Sequence, residues 1–184
     1  MIVNNMTMFI GMMLVFSLTP IRATSDLGFS ADEGALLVSV VGLSNLIGRF
    51  SWGALLNLFP QYRPIVLFIA LRALASALTL LSPLAVTFTL QIIYCGAVGL
   101  MFGSWSLYPL VVADMFGDNT LNVAFGYLEV FDGIGCLIGP TFGGLIYDVT
   151  NSYHLSFVLA GSTLAFGTVI LAIGCRCFHF RKNT

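Results

Sequence analysis

Apolar residues run along this chain in six stretches, each close to the 20 residues a helix needs to cross the hydrocarbon of a bilayer, with polar or proline-bearing breaks between them. The first covers 2–21 and is predicted to end at Thr19-Pro20, with Asn4 and Asn5 near its start. The second covers 34–56. Ser30-Ala31-Asp32-Glu33 precedes it, with a serine and a glutamate three apart as in a capping box. The third, 64–81, has Pro64 in its first turn, where a missing N–H costs nothing. Ser82-Pro83 then breaks the chain. The fourth, 84–113, is long, and Pro109 predicts a kink or an early end. The fifth and sixth cover 121–147 and 155–175, and a basic tail, 176–184, follows. The pattern predicts an all-α integral membrane bundle of six transmembrane helices in a single unit, 1–184.

Composition agrees. Hydrophobic residues make up 58% of the chain and charged residues 8%, against about 25% charged in a soluble domain. So much apolar surface fits inside no water-soluble core of this length, and lipid is the implied surrounding. The net charge of -1 gives no basis for binding nucleic acid. The four cysteines, Cys95, Cys136, Cys175 and Cys177, lie in or beside apolar runs without metal-ligand spacing. Cys175 and Cys177 read either as ordinary juxtamembrane cysteines or as a palmitoylation site. His154 and His179 are both peripheral, and no nucleophile–base pair is visible. The chain therefore reads as neither an enzyme nor a holder of a cofactor or metal.

An even number of spans puts both termini on one side. Arg63, Arg176, Arg181 and Lys182 fall on that side and only Arg22 on the other, so the termini are expected in the cytoplasm.

Four ionisable residues fall inside spans: Arg49, Arg72, Glu129 and Asp132. An arginine at membrane depth costs roughly 2.5–3.5 kcal/mol on the most lenient scale, and such residues tend to face the bundle interior and mark ion or substrate paths. Asn45 and Arg49, four apart, share a helix face, as do Glu129 and Asp132, three apart. Two readings of Arg49 stand side by side. It either pairs statically with a carboxylate, or it binds an anion through its planar fork, which matches a carboxylate in bidentate fashion. Asp132, with Glu129 beside it, is the candidate for carrying a proton. Arg72, about nine residues and roughly 13 Å into its helix, is expected to form a structural ion pair. Gly99 and Gly103, and Gly135 and Gly139, form GxxxG pairs suited to close helix contact.

Three stretches carry a family resemblance: SVVGLSNLIGRFSWG (39–53), GLMFGSWSLYPLVVADMFG (99–117) and NVAFGYLEVFDGIGCLIGPTFGGLIYDVTNSYHLSFVLAG (122–161). Together they resemble the C-terminal six helices of the monocarboxylate transporter family, within the major facilitator superfamily. The series Phe125, Gly126, Ile138, Gly139, Pro140, Gly144, Tyr147, Asp148, Thr150, Ser152, Tyr153, Ser156, Phe157 is its most specific part. The resemblance implies one half of a major facilitator fold that carries small organic anions by alternating access, in the plasma membrane. Proton-coupled members carry an Asp followed four residues later by an Arg in the eighth helix of the full transporter. Arg49 falls on that Arg, the residue that engages the substrate carboxylate. Asn45 stands where the Asp would be and cannot ionise. Phe102, Ser106 and Tyr108 fall in the helix region that faces the cleft in the family, with ordinary packing as the other reading; Phe102 and Ser106 share a face at i, i+4 and are the expected substrate neighbours among them. Gly53 through Arg63 resembles a degraded copy of the superfamily's loop motif, with Asn57 for an Asp and Pro60 for a glycine. Implied partners are a small monocarboxylate, a first six-helix half or partner chain and, for some members, a single-span immunoglobulin-type ancillary protein. The rival reading is a truncated, non-transporting membrane protein that associates with a full-length transporter or ancillary subunit.

Overall fold

The computed structural model describes residues 1–117 and 120–182, with side chains through Cys175. The basic side chains of Arg176, Arg181 and Lys182, together with Cys177 and His179, lie outside the described residues. The described chain is helical throughout: α1 Ile2–Ser25, α2 Ala31–Leu58, α3 Pro64–Leu81, α4 Phe88–Phe102, α5 Tyr108–Phe116, α6 Leu121–Thr150 and α7 His154–Lys182. A 3₁₀ turn, Ser82–Leu84, follows α3, and a 3₁₀ segment, Gly103–Leu107, joins α4 to α5. α4, this segment and α5 together form one crossing, so six helical spans are long and apolar enough to cross a membrane.

Local chemistry sets the ends. At α2 the capping box forms: the Glu33 N–H donates to Ser30 Oγ (3.2 Å) and the Ser30 N–H to Glu33 Oε2 (2.8 Å). The break before α5 follows from Pro109, which has no N–H to return to the preceding turn. The Tyr108 N–H instead bonds to the Trp105 carbonyl, closing a 3₁₀ turn. α6 ends at Asn151, whose φ of 51° is left-handed and whose N–H donates to the Tyr147 carbonyl (2.7 Å), a conformation asparagine tolerates better than most side chains. Thr150 and Tyr153 of the family-like series belong to this corner. Thr150 Oγ1 donates to the Ser152 carbonyl (3.0 Å), and the Tyr153 N–H donates to Asp26 Oδ2 (2.7 Å), which ties the corner to the end of α1.

One boundary departs from the sequence expectation. α1 does not stop at Thr19-Pro20 but continues to Ser25 with Pro20 inside it. The longer helix buries Arg22 to 1% exposure, where its guanidinium donates to Ser82 Oγ (3.2 Å) and to the Ser82 carbonyl (3.0 Å) and lies over the Phe157 ring (4.7 Å). Arg22 is thus a buried strut between α1 and the turn after α3, and not a loop charge.

The bundle centres on α1, which packs against α6, α7 and α2, while α2 also packs on α4 and α3 on α7. The GxxxG glycines sit at these contacts. A methyl on Gly139 would lie 2.7 Å from the Ile10 carbonyl oxygen in α1, and one on Gly103 2.7 Å from Gly48 Cα in α2. Alanine at Gly139 is therefore expected to lower stability by about 1–3 kcal/mol through overpacking. Alanine at Gly144, where nothing lies within 4 Å, is expected to be neutral or slightly stabilising. Thermal unfolding of the two variants in detergent checks this, and equal effects would contradict the close α1–α6 approach.

Candidate functional site

α2 and α6 are anchored by narrow stripes. In α2 only Gly34, Leu37, Val41 and Gly48 are buried, and in α6 only Leu128, Asp132, Gly135, Gly139 and Gly143. The rest of each helix is open. On α2 the open face carries Leu43, Leu46, Ile47 and Phe50, and Arg49 is exposed among them. A lipid-facing surface does not place a guanidinium in the midst of its apolar side chains, because burying the charge in hydrocarbon is costly. This face therefore suits a protein or a water-filled cleft.

Arg49 is held from two sides. Its Nε donates to Asn45 Oδ1 (2.9 Å), one turn earlier. Its backbone carbonyl accepts from Ser106 Oγ (3.2 Å), which also donates to the Gly103 carbonyl (3.1 Å). Trp52 Nε1 donates to the Leu100 carbonyl (2.8 Å) and further ties α2 to α4. With Nε engaged, the Nη1/Nη2 end of the fork remains, the edge that receives a carboxylate end-on. No carboxylate pairs with Arg49 among the described residues.

The expected pairing of Phe102 with Ser106 is not what the structure places there. The 3₁₀ segment begins at Gly103, so the four-residue step between them turns by about 120° more than a multiple of a full circle, and the two side chains diverge. Phe102 is 1% exposed and stacks on Phe16 of α1 (5.9 Å between centroids), inside the core. Ser106 is spent on the Arg49 backbone and acts as a positioning group.

A second polar cluster lies inside the bundle. Asn5 Nδ2 donates to Asp132 Oδ2 (3.2 Å) and to Tyr108 Oη, and its Oδ1 accepts from Asn4 Nδ2 (3.1 Å). Tyr108 stacks on Trp105 (4.3 Å), which meets Phe9 edge-on (4.9 Å). Arg72 is 2% exposed and lies over the Phe68 ring (5.2 Å). The direct ion pair expected for it is absent among the described residues: none of its three nitrogens has a hydrogen-bond partner. The Phe68 ring packs in turn against Tyr108 (6.1 Å between centroids). Asp132 is buried against Asn5, and Glu129, three residues earlier on the same helix, is exposed. Sequence reasoning passed over Asn5 and Arg22 as site or core residues. The available signal was an asparagine pair inside an otherwise apolar span.

The six helices, their order and the charged layer within them now have a frame. The major facilitator superfamily model matches residues 1–176. The chain belongs to that superfamily. Its curated relatives are monocarboxylate transporters: number 9 of Rattus norvegicus, 29% identical over 74% of this chain; number 14 of Mus musculus, 32% identical over 74%; and number 3 of Mus musculus, 31% identical over 85%. The chain spans 27–32% of the length of these relatives.

Asn5 holds three polar groups at once, so its loss should be felt strongly. Asn5→Ala is expected to cost about 2–4 kcal/mol by leaving Tyr108, Asp132 and Asn4 without partners, whereas Asn122→Ala on the exposed face of α6 should change stability by under about 0.5 kcal/mol. Chemical denaturation in mixed micelles checks the difference, and matching losses would dismiss the network.

Proposed function

We propose that this chain is the second half of a secondary transporter of small organic anions, with Arg49 binding the substrate carboxylate. The supporting observation is Arg49 itself, a guanidinium on an otherwise apolar exposed face, oriented by Asn45 and Ser106, with its outer fork unengaged. In this reading the open faces of α2 and α6 meet a first six-helix bundle, and the cleft between the halves opens alternately to either side. The excess of Arg63, Arg176, Arg181 and Lys182 on the terminal side supports cytoplasmic termini, the six apolar spans support a membrane setting, and the plasma membrane is what the family resemblance implies. Asn45 orients the arginine but carries no proton. A small monocarboxylate is the substrate class this geometry suits best, because one guanidinium edge meets one carboxylate. An ancillary single-span partner belongs to the same proposal by way of the family.

A second reading takes the open faces of α2 and α6 as a surface for association alone: a membrane protein that does not transport but associates with a full-length transporter or ancillary subunit. One experiment separates them. Uptake of labelled monocarboxylates is measured in cells expressing the protein with its partner half, for wild type, Arg49→Lys and Arg49→Ala, alongside surface delivery. The transporter reading expects Arg49→Ala to lose at least about tenfold in uptake, the equivalent of one charge-assisted contact, with delivery intact and partial retention in Arg49→Lys. Unchanged uptake by Arg49→Ala would reject Arg49 as the anion site, and lost delivery would favour the associating protein.

A further inference from the structure

Arg72 and Asp132 present an unfinished arrangement. Both are 2% exposed. Arg72 Nε, Nη1 and Nη2 meet no protein acceptor, and Asp132 Oδ1 meets no donor, although Oδ2 receives Asn5. Asn4 Oδ1 is likewise without a partner. The two charges are linked by contacts: the Phe68 ring beneath Arg72 packs against Tyr108 (6.1 Å between centroids), and Asn5 donates both to Tyr108 Oη and to Asp132 Oδ2. α7 leaves room beside Arg72 because residue 167 is a glycine: a Cβ there would stand 3.4 Å from Arg72 Nη2 and 2.5 Å from Thr7 Oγ1. Arg72 and Asp132 lie about eight and eleven residues from the helix ends on the terminal side, roughly 12–16 Å deep. A bare charge there is strongly unfavourable, and removing one member of a buried pair strands the other.

We propose that Arg72 and Asp132 are the two ends of a buried, water-bridged charge pair enclosed by Asn4, Asn5, Tyr108 and Gly167, and that Asp132 is the member that takes up a proton. Water fits because the region offers an acceptor at Asp132 Oδ1, an acceptor at Asn4 Oδ1 and donors at Arg72, the two to four partners a buried water needs. An inorganic anion fits less well, since the Asp132 carboxylate would repel it. In the proton step, hydronium gives its proton to Asp132 Oδ1, the carboxylate becomes a neutral acid, and a water molecule remains. The groups facing Asp132 are Asn5 from α1, Arg72 from α3, Tyr108 from α5, and Glu129 and Cys136 from α6. The cluster's charge then alternates while Arg72 stays cationic. The 3₁₀ segment joins this site to the anion face, carrying Ser106 on the Arg49 backbone and leading into Tyr108, which Asn5 contacts. A role in driving transport rests on the transporter reading; the charge pair does not.

The test therefore avoids uptake and Arg49. The purified chain in lipid nanodiscs is compared with Arg72→Gln, Asp132→Asn, the double variant and Arg72→Lys. Each neutral single variant is expected to lower the unfolding midpoint by roughly 10 °C, and the double variant to recover at least half of the summed loss. Fully additive losses would overturn the pair. Should Arg72→Gln fail to fold, the double variant and Arg72→Lys carry the comparison: both folding supports the pair, and a double variant that also fails beside a stable Asp132→Asn rejects it. Infrared spectroscopy reads the proton. A carboxylic-acid C=O band should grow on acidification, vanish in Asp132→Asn, and titrate with a moved midpoint in Arg72→Gln or the wild-type midpoint in Arg72→Lys. A band at Asp132 that ignores pH would overturn the proton role. A midpoint moved by chloride would assign the space to an anion instead of water.

Discussion

The cost of placing a charge in hydrocarbon governs this molecule. Three arginines stand in its spans, and each meets that cost differently. Arg22 is sheathed by Ser82 and Phe157 and serves as a strut between α1 and the turn after α3. Arg72 is sealed inside, stacked on Phe68, with Asp132 as its proposed counter-charge. Arg49 is on the outside, and among the described residues only Asn45 bonds its guanidinium. A strut and a buried counter-charge both look inward. Arg49 alone looks toward whatever faces α2, which is why the proposed anion site falls there.

The glycine stripes make that outward face available. Gly48, Gly99 and Gly103 bring α2 and α4 into backbone contact, Gly135 and Gly139 do the same for α6 and α1, and Gly143 receives the side chains of Leu14 and Leu18. Helices that touch through so narrow a strip keep most of their circumference for another surface. The same close approach lets Ser106 reach the Arg49 carbonyl. Because the 3₁₀ segment carrying Ser106 runs directly into Tyr108, a shift of α2 on α4 has a short mechanical route to the Asn5–Asp132 contact. Mid-helix 3₁₀ stretches of this kind often mark hinges.

Much of the architecture was legible in the sequence, because the period and length of apolar runs respond to one dominant force. The capping box at Ser30, the interruption at Pro109 and the six-span count all followed from local chemistry. Pro20 misled because a proline predicts a lost backbone bond but not the burial of Arg22 two residues later, which outweighs it. The Asn45–Arg49 contact was legible because it depends only on helical spacing. Phe102 and Ser106 were not, since their relation assumed an α-helical turn where the backbone tightens. Arg72 was read as a direct pair because sequence gives depth and sign of charge, whereas the packing of Tyr108 against the Phe68 ring beneath Arg72 is a tertiary fact. Asn5 drew no role from spacing at all: its three partners come from elements more than 100 residues away as well as from its neighbour.

The most direct measurement is chemical access to position 49. Arg49→Cys and, separately, Leu46→Cys, which keeps Arg49 and lies on the same exposed face of α2, are placed in a background with Cys95, Cys136, Cys175 and Cys177 replaced, assembled with the partner half, and treated with a water-soluble thiol reagent with and without a small monocarboxylate. An anion site in an aqueous cleft predicts that both cysteines label from water and that the monocarboxylate slows labelling at position 46, where the arginine remains. Cysteines that stay unlabelled in the assembled protein, or a position 46 that labels at one rate whatever carboxylate is added, would contradict it.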